Sequence, residues 1–163
     1  MLFGNAARHV ERFGGELLHG WAIWEVPQLM VEAEFHAVWR DPTGTLVDVN
    51  PRRPLETRIT LTPAPAMRWP GNAIDNIRDA LLDDSRVHAF IAQAQRRYEL
   101  LKEYPPGLIQ VDAATWAANF PNAAAIDKAF FLLSITHRAL TDPCVCGGPA
   151  RFGDCHAEEF GRR

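Results

Sequence analysis

The sharpest pattern in the chain runs over residues 30–40, MVEAEFHAVWR. Val31, Ala33, Phe35, Ala37 and Trp39 fall on one side, and Glu32, Glu34, His36 and Val38 on the other. A period of two predicts a strand. Asp41-Pro42-Thr43-Gly44 predicts a turn, with Pro and Gly in favoured places. Residues 45–50, TLVDVN, then return as its antiparallel partner. Residues 20–26, GWAIWEV, and 56–62, ETRITLT, predict two more strands. Ahead of them, residues 5–13 predict a short amphipathic helix with Ala6, Val10 and Phe13 on one face, ended by Gly14-Gly15. Pro63, Pro65 and Pro70 break the strand pattern and form a connector.

The second half changes period. Asn72 predicts a helix cap, followed by the stripe Ile74, Ile77 and Leu81. After a break near Asp84-Ser85, Phe90, Ala94, Tyr98 and Leu101 continue a similar stripe until Pro105-Pro106-Gly107. Asp112 predicts a cap for a helix through Trp116, and Asn122 one for a helix through Leu140, with Ile126, Phe130, Leu133 and His137 on one face. The run Phe130-Phe131-Leu132-Leu133 is expected in the core, and Asp142-Pro143 closes the helical part. The class is therefore α+β: a small antiparallel sheet from the N-terminal half packed with helices from the C-terminal half. The expected organisation is a core of residues 1–141 and a tail of residues 142–163.

Composition narrows the function. The 163 residues carry 17 basic and 20 acidic side chains, a net charge of −3, which argues against a general nucleic-acid or membrane-surface binder. Charges interrupt every apolar run, so no segment is suited to cross a bilayer. The start shows no secretory leader pattern, so the expected setting is the cytoplasm, with reduced thiols.

All three cysteines, Cys144, Cys146 and Cys155, fall in the last twenty residues, and His156 follows the last of them. Three thiolates and an imidazole are the donors of a closed, structural zinc site, and Gly147, Gly148 and Gly153 supply turns for a chain wrapping an ion. The stretch CVCGGPARFGDCH resembles the SEC-C motif, a zinc-binding tail best known from the motor ATPase of bacterial preprotein translocation. The match lies at Cys144, Cys146, Gly147, Phe152, Cys155 and His156. Gly148 and Pro149 depart from the motif's usual Ser and Gly, and Gly153 and Asp154 replace its usual lysines. The resemblance implies bound Zn2+ and a protein partner. The missing lysines weigh against ribosome or RNA binding, and Arg151, Arg162 and Arg163 beside Asp154, Glu158 and Glu159 make a weak basic patch.

A second candidate site lies on the predicted hairpin, where Asp48 is expected near His36 on one sheet face. A carboxylate beside an imidazole is how a general base is built. Trp21, Trp24 and Trp39 are candidates to wall a pocket there. Glu32, Glu34 and His36 on a solvated sheet face is the simpler reading. The run EAEFHAVWRDPTGTLVDVNP resembles the His-strand, turn, Asp-strand segment of transglutaminase-like and other papain-like proteins. By that resemblance His36 is the base, Asp48 its orienting acid, and a nucleophile is expected at the start of the preceding helix. Residues 1–5, MLFGN, offer no Cys, Ser or Thr.

The functional expectation is a non-catalytic, zinc-binding interaction protein of adaptor or inhibitor type on a degenerate papain-like core. The alternative is a hydrolase or acyltransferase using His36 and Asp48, with a nucleophile upstream of Met1 or a second metal at Glu34, His36 and Asp48. The Arg52-Arg53 pair is expected to be a solvated loop pair.

Overall fold

The computed structural model describes residues 2–50, 58–102, 104 and 110–162. Arg52-Arg53, the start of the 56–62 strand, the Pro105-Pro106-Gly107 stop and Arg163 lie outside the described residues. The elements in order are α1 (Leu2–Phe13), β1 (Glu16–Val26), β2 (Met30–Arg40), β3 (Leu46–Val47), β4 (Thr60–Pro63), β5 (Ile77–Ala80), α2 (Ser85–Leu101), α3 (Ala113–Asn119), α4 (Ala123–His137) and a 3-10 turn (Glu158–Phe160). This is the α+β class expected from the sequence.

The sheet order is β3-β2-β1-β4, with β5 on β2. β2 pairs antiparallel with β3 (Trp39↔Val47, Arg40↔Leu46), and β1 with β4 (Gly20↔Pro63 through Ile23↔Thr60). β2 spans the residues that alternation predicts. β3 is shorter than the 45–50 run, because only Leu46 and Val47 enter the ladder and Asp48 and Asn50 turn their polar groups elsewhere.

One expectation fails. Residues 72–81 form no helix; they run through a loop into β5. The apolar stripe there is under three turns long, too short to stand as a helix without packing. Ile77 is 59 % exposed, so the stripe has no core to face. The edge of β2 offers backbone partners instead, and β-branched Ile77 suits a strand.

The chain divides into two compact units. The first comprises residues 1–24, 32–77 and 96–110. Ala6, Leu18, Ala22, Phe35, Ala37 and Val38 are buried in it. Phe35 carries His19 stacked on one side (5.5 Å, 5°) and Trp21 edge-on (5.4 Å). The second comprises residues 25–31, 78–95 and 111–163. Its larger cluster is Leu29, Met30, Val87, Phe130 and Leu133, where Phe90 stacks on Phe130 at 4.0 Å. Gln93 is buried there with its amide donating to Asp127 at 2.6 Å. Asp112 caps α3, accepting from the Thr115 N–H at 2.9 Å. α4 begins after Asn122 as expected but ends at His137, three residues before Leu140.

Four consecutive residues wrap the whole circumference of a helix, so the Phe130–Leu133 run cannot all face one core. Phe130 and Leu133 point inward, while Phe131 and Leu132 are exposed. This corrects the expectation that the whole run is core.

Candidate metal centre

The end of the chain folds back on α4. Pro143 and Arg151 form an antiparallel bridge, and the chain between them carries Cys144 and Cys146. The Gly147 N–H donates to the Cys144 carbonyl at 3.0 Å, which closes a tight turn. Gly147 holds φ at 71°, a conformation that costs glycine nothing. After the bridge, the Phe152 carbonyl accepts from the N–H groups of Cys155, His156 and Ala157 (3.0–3.2 Å), forming a single turn that presents the other two donors. Gly153 passes so close to Leu140 that a Cβ there would lie 3.0 Å from both its Cβ and its carbonyl oxygen.

An apolar plug supports this loop. Phe152 is fully buried and packs with Ile135 of α4, Cys144 and Ala157. Arg162 closes the far end: its guanidinium donates to the carbonyls of Ile135 (2.9 Å), Thr136 and Arg138 (3.2 Å). A cation there satisfies carbonyls that a helix C-terminus leaves without intrahelical partners.

The four donors converge. The sulfurs of Cys144, Cys146 and Cys155 and one ring nitrogen of His156 all lie within 4.8 Å of one another. His156 Nδ1 is 3.2 Å from Cys144 Sγ and 3.0 Å from Cys155 Sγ, and the sulfurs of Cys146 and Cys155 are 3.8 Å apart. The Gly148 N–H donates to Cys146 Sγ at 3.3 Å. The other imidazole nitrogen, Nε2, is 4.0 Å from a Glu159 carboxylate oxygen, the kind of outer partner that orients a ligating imidazole. Cys144 is buried, whereas Cys146 and Cys155 are exposed.

Electrostatics suit a cation at the centre. Burial pushes the Cys144 thiol up, but hydrogen bonds from the Cys146 backbone and from the Cys155, His156 and Cys146 side chains outweigh it and bring the thiol to about 6. Cys155 is pushed up to about 12, chiefly by its side-chain hydrogen bond to Cys144. Cys144 ionises readily and Cys155 then holds its proton, until a cation offsets the repulsion between thiolates. The cluster is therefore a site able to bind a metal ion through three sulfurs and one nitrogen.

The hairpin site is also assembled, in a different way. His36 Nε2 lies 3.1 Å from Asp48 Oδ1. A carboxylate only accepts, so the proton on Nε2 points to Asp48. Asp48 Oδ1 also accepts from the backbone N–H (3.0 Å) and the side-chain amide (2.9 Å) of Asn50. Asn50 Oδ1 in turn accepts from Asn5 of α1 at 3.1 Å, and Arg8 donates to Asn5 Oδ1. Asn5 and Arg8 also line an open groove of about 750 Å3 beside α1. His36 itself is 0 % exposed, so it sits in no solvated sheet face.

The three tryptophans are engaged separately. Trp21 packs on Phe35, Trp24 Nε1 donates to Glu34 at 3.0 Å, and Trp39 Nε1 donates to the Gly14 carbonyl at 2.8 Å. Among the described residues, the Cys3His set is the one group of three or more metal-ligating side chains close enough to share an ion; Glu34, His36 and Asp48 do not form another.

The His36 network predicts a stability effect. His36→Ala removes a donor from Asp48, whose side chain is only 11 % exposed. A loss of about 1–3 kcal/mol is expected, read by chemical denaturation, with metal content unchanged. A variant as stable as the parent would show that the carboxylate does not depend on the imidazole.

No protein-family model, curated protein or solved structure matches the chain. The functional reading rests on the geometry above. Sequence reasoning named the four side chains that converge here and the neighbours His36 and Asp48. It missed Asn5, Glu159 and the Arg162 cap. For Asn50 a signal existed: continuing the Trp39↔Val47 register puts residue 50 opposite residue 36 and makes Asp48 its diagonal neighbour.

Proposed function

We propose that this protein is a non-catalytic interaction protein whose C-terminal segment is held in shape by one structural zinc ion bound to Cys144, Cys146, Cys155 and His156. The observation that carries this reading is the closed donor set. Four protein ligands fill a tetrahedron, and no position remains for water or substrate. Thiolate-rich sets favour zinc over the oxygen-seeking magnesium and calcium. With metal–sulfur bonds of about 2.3 Å, the edge of a sulfur tetrahedron is about 3.8 Å, and the Cys146–Cys155 separation is 3.8 Å. The donor order also supports the likeness to a SEC-C motif.

Other features fit the same reading. His36, fully buried, is poorly placed to meet a substrate. Its network with Asp48 and Asn50 serves to satisfy polar groups inside the sheet unit. Residues 142–163 carry the carboxylates of Asp142, Asp154, Glu158 and Glu159 against Arg151, Arg162 and Arg163, and three thiolates holding one divalent ion add further negative charge. A partner with a basic surface suits that charge better than a nucleic acid does. No described helix is long and apolar enough to cross a membrane, and three reduced thiols suit a cytoplasmic setting.

Metal counting tests the proposal. Elemental analysis of purified protein is expected to give one zinc per chain, lost when Cys144 and Cys155 are both replaced by serine. A second bound metal, or zinc retained by the double variant, would favour the hydrolase alternative.

A further inference from the structure

We propose that Cys146 and Cys155 are a peroxide-sensitive pair, oxidised together to a disulfide that releases the metal, while Cys144 stays a thiol. This deepens the metal-centre reading and rests on it.

The three sulfurs are not equivalent. Cys144 is 4 % exposed and sits under Ile135, Phe152 and Ala157, so an oxidant in solution cannot reach it without opening the plug. Cys146 and Cys155 both face solvent. Their sulfurs are 3.8 Å apart, and a disulfide needs them at about 2.05 Å. Cys146 lies within the segment closed by the Pro143–Arg151 bridge and Cys155 beyond it, so the disulfide would join the two sides of Arg151 across a gap that must shrink by less than about 2 Å.

The oxidant is a hydroperoxide. One thiolate sulfur gives an electron pair to a peroxide oxygen; the O–O bond breaks, an S–O bond forms, and hydroxide leaves. The second thiolate then attacks that sulfenic sulfur. An S–S bond forms, the S–O bond breaks, and a second hydroxide leaves. Two thiolates and one hydrogen peroxide thus yield one disulfide and two hydroxides. The sulfurs lose two electrons and the peroxide gains them. Cys144 and His156 remain, two donors where a structural site needs four, so the ion departs. Cys144 is shielded while the disulfide forms, because the plug opens only once the ion has left.

The test uses the full-length protein with its metal counted before treatment. Hydrogen peroxide is added in steps, released zinc is read with a chromogenic chelator, and the remaining thiols are alkylated under denaturing conditions and mapped by mass spectrometry. The expected result is one zinc released per Cys146–Cys155 disulfide, with Cys144 alkylated as a free thiol and both changes reversed by dithiothreitol plus zinc. A disulfide containing Cys144 as the main product would overturn the proposal, as would zinc release with no disulfide or thiols unaltered at millimolar peroxide. Protein that contains no metal at the start would instead count against the metal reading. The same mapping on that protein still tests the pairing, because the sulfur positions alone predict it.

Discussion

Removing the metal is expected to release residues 142–162 from α4 while leaving the sheet and α1 folded. Ordering a segment costs about 1–2 kcal/mol per residue in backbone entropy, and one buried phenylalanine returns only about 3 kcal/mol. Coordination worth about 10–16 kcal/mol in zinc-finger peptides is the contribution of the right size. Most of the sheet, residues 16–24 of β1 and 32–40 of β2 included, belongs to a unit with its own buried residues, Ala22, Phe35, Ala37 and Val38 among them. Hydrogen exchange followed by mass spectrometry checks this. On chelation, the amides of Phe152, Gly153, Cys155, His156 and Ala157, all bonded within the loop or to the chain just after α4, should lose protection. Those of β1 and β2 should keep it. Collapse of the whole far-UV dichroism would show instead that the ion supports the entire chain.

Truncating the plug is the second large effect. Phe152→Ala is expected to weaken the folded metal loop by about 3–5 kcal/mol, because Phe152 is fully buried against Ile135, Cys144 and Ala157. Since folding of the loop and binding of the ion are one equilibrium, the loss should appear as zinc affinity lower by roughly two to four orders of magnitude in a chelator competition. Phe131→Ala, at a position 43 % exposed, should change that affinity less than about threefold. Equal affinities for the two variants would show that packing under the loop does not shape the site.

What the sequence made legible follows from how local each signal is. β2 is readable because its alternation runs the length of the strand. The four metal donors are readable because they lie within thirteen residues and their chemistry is distinctive. Asp48 near His36 is readable from a hairpin with a well-marked turn. Residues 72–81 are not, because an apolar stripe of under three turns fits a helix or an edge strand equally, and pairing with a distant strand decides between them. The split of Phe130–Leu133 into buried and exposed pairs needs the direction of α4's neighbours, which no local pattern carries. The burial of His36 is hidden for a related reason. Alternation separates the two faces of β2, but Phe35, His36, Ala37 and Val38 are all buried, so both faces are covered in that half of the strand. The network that makes this tolerable reaches from Asn5 to Asn50, across 45 positions. Arg162 on the end of α4 is equally remote in sequence.

The central claim is a closed Cys3His zinc site, and X-ray absorption at the zinc edge of the purified protein tests it most directly. The account predicts a four-coordinate ion with three sulfurs at about 2.3 Å and one nitrogen at about 2.0 Å, unchanged by added anions that would enter an open position. A first shell containing exchangeable oxygen, or fewer than three sulfurs, would contradict it.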